Sequence, residues 1–70
     1  MRKGNWENEF KRTIGGKNVT VYFNPPDSEQ GLPLMYKFEV DGVPYRGEHR
    51  LDGTWNQKVI MDCIERMLDL

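Results

Sequence analysis

Seventy residues and 8.3 kDa hold one small domain and leave no room for a second. A chain this short buries only about 60% of the surface its unfolded form exposes, which argues against a deep substrate cavity and for function carried on the surface. Ten Lys and Arg against eleven Asp and Glu give a net charge of -1, without the basic excess that phosphate-backbone binding rewards, so nucleic acid is not the default partner.

In chain order, residues 1–7 read as a flexible lead-in. Met1 to Asn5 runs into no apolar segment, and the longest aliphatic run, Val59-Ile60-Met61, is far short of the roughly 20 residues of a membrane helix. Soluble, cytoplasmic placement is expected. The charge is uneven: residues 1–20 carry five basic and two acidic groups, a net of +3, while the rest carry five basic and nine acidic, a net of -4. Trp6, Phe10 and Ile14 lie four apart, which suits one face of a helix, yet they also share parity along a strand; a strand over 8–14 is the reading taken. Gly15-Gly16 marks a turn into a strand from Asn18 to Phe23, with Val19, Val21 and Phe23 on one side. Residues 24–33 form an acidic, proline-rich loop, longer than the usual connection of ~4–6 residues and the one irregular segment suited to a dedicated task.

From Leu34 the period is two: Leu34, Tyr36, Phe38 and Val40 alternate with Met35, Lys37 and Glu39. Asp41-Gly42 then predicts a type I′ hairpin. A straight ladder pairs Val40 with Val43, Phe38 with Tyr45, Tyr36 with Gly47 and Leu34 with His49, and on the other face Glu39 with Pro44, Lys37 with Arg46 and Met35 with Glu48. Pro44 falls where the missing N–H points away from the partner strand, so strand 43–49 should be an edge. Last comes an amphipathic helix over 54–69, with Val59, Ile60, Cys63, Ile64, Met67 and Leu68 on one stripe, and Thr54 with Gln57 as its capping box.

No catalytic constellation emerges from these residues. One cysteine, Cys63, and one histidine, His49, make neither a disulfide nor a zinc set, and Cys63 falls on the apolar stripe, where a thiol acts as a small hydrophobe. His49 reads as a surface or cross-strand residue. The carboxylate pairs Glu7/Glu9 and Glu39/Asp41 are solvated, and Gly15-Gly16-Lys17 continues into a strand rather than opening a phosphate-binding helix. Two candidate surfaces are left. Asp27, Ser28, Glu29 and Gln30 of the acidic loop, with Trp55 beside the helix start, could engage a protein. Arg2, Lys3, Trp6, Lys11, Arg12 and Lys17 could instead track a phosphate backbone while Trp6 stacks on a base. Whether Trp6 and Trp55 are core or exposed stays open.

In strand order alone, three antiparallel strands followed by a helix resembles the small DNA-binding domains of tyrosine recombinases, and Tyr36 to Leu68 resembles the second half of a double-stranded RNA-binding domain. The latter opens its second helix with a lysine cluster, whereas Thr54-Trp55-Asn56-Gln57-Lys58 holds one lysine, and no functional residue is carried over.

The expected fold is α+β: an antiparallel meander of three or four strands with the C-terminal helix packed on its apolar face. Its core should comprise Trp6 or Phe10 with Val19, Val21, Phe23, Leu34, Tyr36, Phe38, Val40, Tyr45 and the helix stripe, Met61 and Met67 included. The expected function is a non-enzymatic protein-interaction module without cofactor or metal, of the size of small phage or mobile-element inhibitors, binding a protein partner. Self-association through a sheet edge is compatible with it. The alternative is a nucleic-acid binder using the basic N-terminal patch.

Overall fold

The computed structural model describes residues 6–69. Strands β1 (Asn8–Ile14), β2 (Lys17–Asn24), β3 (Leu34–Val40), β4 (Val43–Pro44) and β5 (His49–Leu51) precede one helix, α1 (Gln57–Leu68). The sheet is antiparallel throughout in the order β1-β2-β3-β4, and β5 pairs with the same side of β3 as β4. The α+β meander with a C-terminal helix is therefore the fold, and residues 8–14 are a strand.

Two glycine-bearing turns set the register. Gly15 and Gly16 have φ of 56° and 80°, Asp41 and Gly42 have 52° and 85°, and both pairs adopt the doubly left-handed conformation of a type I′ turn, whose twist matches that of the flanking strands. Phe10 then lies opposite Val21, Val21 opposite Phe38 and Phe23 opposite Tyr36, so one face of the sheet is apolar across three strands. Onto it α1 places Ile60, Met61 and Ile64. Val19, Val21, Leu34, Phe38, Ile60 and Ile64 are fully buried, each contributing about 1.5–3 kcal/mol of transfer free energy. Ile14, Val40, Tyr45, Leu51, Trp55, Cys63, Met67 and Leu68 pack around this core and keep part of their surface. Tyr45 also donates its hydroxyl to the Met67 carbonyl, 3.2 Å away, supplying a donor to the last turn of the helix.

Two expectations need correction. The helix begins at Gln57, not at 54: Asn56 is the N-cap, extended at φ -162°, and its side chain accepts from Val59 N at 2.9 Å, so Thr54 and Gln57 form no capping box. Strand 43–49 is not straight. Arg46 and Gly47 are both left-handed, at φ of 57° and 81°, and they insert two residues between β4 and β5. Tyr45 still donates to the Phe38 carbonyl at 3.0 Å, but beyond it Tyr36 faces His49, Met35 faces Arg50 and Leu34 faces Leu51, in place of Gly47, Glu48 and His49. Because two residues are inserted, parity survives, and the fully buried Leu34 meets a leucine instead of an imidazole. The open choice between Trp6 and Phe10 for the core falls to Phe10, 8% exposed, while Trp6 precedes the strand, escapes its alternation and lies half-buried with its ring 5.7 Å from Lys37 Nζ.

Candidate functional site

The helix covers one face, and the sheet offers a second face and two edges. On the open face Tyr22 stands opposite Lys37, whose ammonium lies 5.3 Å from the Tyr22 ring as well as over Trp6. Glu9, Lys11, Thr20, Met35 and Glu39 share that face by strand alternation, leaving it mixed in charge. Tyr22 is held above the usual phenol range by desolvation and by the carboxylates of Glu39 and Glu9. The cation already engages both rings, so neither is a bare stacking platform.

The two edges differ in backbone chemistry. The turn at Gly15-Gly16 makes Ile14 and Lys17 a hydrogen-bonded pair, and alternation then turns the N–H and C=O of Arg12, Phe10 and Asn8 toward β2. Glu9, Lys11 and Thr13 therefore direct theirs outward, along a strand seven residues long with no neighbour on that side among the described residues. The opposite edge is broken up. Pro44 occupies an outward position with no N–H to offer, the Arg46-Gly47 insertion bends the chain away, and β5 contributes only Arg50. Those are devices that blunt an edge, whereas β1 carries none in its backbone.

Among the described residues, what covers the β1 edge is one side chain. By parity Arg12 lies on the helix side; its guanidinium sits 4.9 Å from the Phe10 ring, donates from Nη1 to the outward carbonyl of Lys11 at 2.8 Å, and donates from Nη2 to Gln57 Oε1 in the first turn of α1. Lys11, in contrast, extends over the open face beside Glu9, with Nζ 3.9 Å from Glu9 Oε2, both exposed. Between β1 and the helix runs a shallow depression of about 410 Å³ lined by Ile14 and Met61 and rimmed by Lys58, Asp62 and Glu65.

The expected basic patch is thus divided. Arg2 and Lys3 lie outside the described residues, Lys11 and Arg12 belong to opposite faces, and Lys17 follows the turn at the far end of the hairpin. Lys11 and Arg12 do share the rim of a second depression, with Thr13, Asn18, Val19 and Thr20.

The acidic loop is more ordered than its composition suggests. Asp27 and Leu32 exchange backbone hydrogen bonds at 3.0 and 2.9 Å, and the Asp27 carboxylate accepts from the amides of Glu29 and Gln30 at 3.1 and 3.3 Å. Asp27 is committed to its own turn, an Asx arrangement, while Ser28, Glu29 and Gln30 are exposed and Leu32 projects with 52% of its surface open. Trp55 is half-buried with its ring edge-on to Phe23 at 5.4 Å, an anchor of the helix entry.

Cys63 and His49 are brought to either side of Tyr36. His49 pairs with Tyr36 across the strands, ring centres 5.3 Å apart, and its Nε2 is buried without a hydrogen-bond partner among the described residues. Cys63 is half-buried rather than fully enclosed, with Arg66 Nη2 at 3.9 Å from its sulfur. The Tyr36 hydroxyl is pushed up to about 12, chiefly by burial and then by Cys63. No group of three metal-ligating side chains comes together among the described residues, and no helix is long and apolar enough to cross a membrane.

No protein-family model matches the chain, and neither a curated protein nor a solved structure matches it significantly.

Proposed function

We propose that this protein is a non-enzymatic interaction module of the cytoplasm that binds a protein partner by strand addition along β1, in the manner of a small regulator or inhibitor. The carrying observation is the asymmetry of the sheet: one edge blunted by Pro44 and the Arg46-Gly47 insertion, the other a full-length strand that directs the amides and carbonyls of Glu9, Lys11 and Thr13 outward, with the Lys11 carbonyl covered by the Arg12 side chain alone among the described residues. Main-chain pairing supplies affinity there, and the alternating side chains of β1 supply selectivity. The loop residues Ser28, Glu29 and Gln30, with Leu32, stand ready as a secondary contact.

The test replaces Lys11 by proline. Its N–H points outward, so Lys11→Pro removes a donor from the free edge and none from the ladder to β2. Tagged wild type and variant are compared for bound proteins in native cells, with and without nuclease, after circular dichroism has shown both to be folded. A stoichiometric protein that survives nuclease and is lost with Lys11→Pro supports the reading. Retention by the variant removes the edge from it, and loss of every partner on nuclease treatment transfers the function to nucleic acid.

A further inference from the structure

The residues on the β1 edge are self-complementary, and we infer that the partner is a second copy of this chain, joined β1 to antiparallel β1 about a two-fold axis through Phe10. This rests on the strand-addition reading above and names its occupant. An isologous antiparallel pairing must match outward-facing residues with outward-facing residues, which leaves few registers. An axis at Lys11 sets Lys11 against Lys11. An axis at Glu9 sets Glu9 against Glu9, and an axis at Arg12 sets Arg12 against Arg12. Within Asn8–Ile14, the axis at Phe10 alone places opposite charges directly across the junction, Glu9 against Lys11 of the partner and Lys11 against Glu9 of the partner. Each of these pairs exchanges two backbone hydrogen bonds, and their side chains share the open face.

The monomer is prepared for that exchange. Glu9 and Lys11 already lie on the same side with their charged atoms 3.9 Å apart, so the cross-strand pairs replace a weak exposed pair without reorganising the strand. On the opposite side of the sheet the two Phe10 residues meet at the axis as a non-hydrogen-bonded pair, the closer of the two antiparallel spacings. Phe10 is 8% exposed at the margin of the core, edge-on to Phe23 at 5.8 Å, so its approach to its counterpart extends the apolar layer from one protomer into the other. Arg12 is the gate. Its guanidinium covers Phe10 and occupies the Lys11 carbonyl, the acceptor that the partner's Glu9 amide needs, and it must withdraw toward Gln57 for the strands to meet.

The register gives a charge-swap test on the full chain by analytical ultracentrifugation at low salt. Wild type should sediment as a concentration-dependent dimer that weakens as salt screens the exposed pairs. Glu9→Lys and Lys11→Glu should each weaken self-association about tenfold or more, because attraction becomes repulsion at both symmetry-related pairs. Mixing the two variants should restore association as a heterodimer, since each then supplies the charge the other lacks, and the double variant E9K/K11E should dimerise alone. A strictly monomeric wild type, or single variants that dimerise as well as wild type, overturns the proposal. A mixture that stays monomeric overturns the Phe10 register. If the wild type is monomeric while Lys11→Pro still abolishes capture of a different protein, the second copy is refuted and the strand-addition reading stands.

Discussion

The two edges of this sheet meet the same hazard in opposite ways. On the β4–β5 side protection is written into the backbone: a proline without a donor and two consecutive left-handed residues that no continuous strand tolerates. On the β1 side it is lent by a side chain, Arg12, that can leave. A backbone device is permanent, whereas a guanidinium on an exposed carbonyl is exchanged within nanoseconds. The difference separates an edge that is closed for good from one that can open to a partner strand.

The largest effect should come from Leu34→Ala. This fully buried residue faces Leu51, the contact that the two-residue insertion creates, and its truncation should cost about 3 kcal/mol in denaturant unfolding and release β5 first, seen as early hydrogen exchange around residues 49–51. Gly47→Val forces a β-branched residue into φ 81° and should cost about 1–2 kcal/mol; an unchanged midpoint would show that the insertion has adopted another conformation. A sharper form of the same comparison deletes Arg46 and Gly47 together. That keeps Leu51 opposite Leu34, makes one straight strand from Val43 onward and should give the second edge a new tendency to associate, visible by sedimentation. Arg12→Ala should be the smallest change in stability, about 0.5–1 kcal/mol, yet should strengthen association by freeing the Lys11 carbonyl; weaker association would mean that Arg12 contacts the partner instead of gating it.

Tyr36 adds a pH limit beneath the β5 edge. Its folded-state value of about 12 lies above the ordinary phenol value of 10.0, so the folded protein holds this proton more tightly than the unfolded chain. That contribution is complete below pH 10 and is lost as pH rises through 12. Alkaline unfolding of wild type should therefore fall in this window, and Tyr36→Phe should move it upward.

Much of this molecule was legible in local patterns. Alternation along 34–40, the Asp41-Gly42 turn and the stripe Ile60, Ile64, Met67 led to the right elements, because period and turn chemistry act within a few residues. The insertion after Tyr45 was not legible as such. Arg46-Gly47 resembles any X-Gly pair, and what selects it is the gain from setting Leu51 rather than His49 against Leu34, a contact between distant segments. The helix start misled for a related reason: Thr54 and Asn56 are both good caps by residue type, and it is Asn56 that accepts from Val59 N, with Trp55 between them packed against Phe23. The candidate sites divided in the same way. Lys11 and Arg12 are adjacent in sequence and read as one basic patch, yet strand alternation sends them to opposite faces.

The sequence by itself determined the fold class, the order of strands and helix and which face of each is apolar, since these follow from spacing, propensity and glycine placement along the chain, but not the break between β4 and β5 or the first residue of α1. Only the tertiary structure decided which edge stays open. Edge character depends on the outward direction of each N–H and C=O, fixed by pairing across strands, and on whether a side chain such as Arg12, reaching to Gln57 forty-five residues away, covers it.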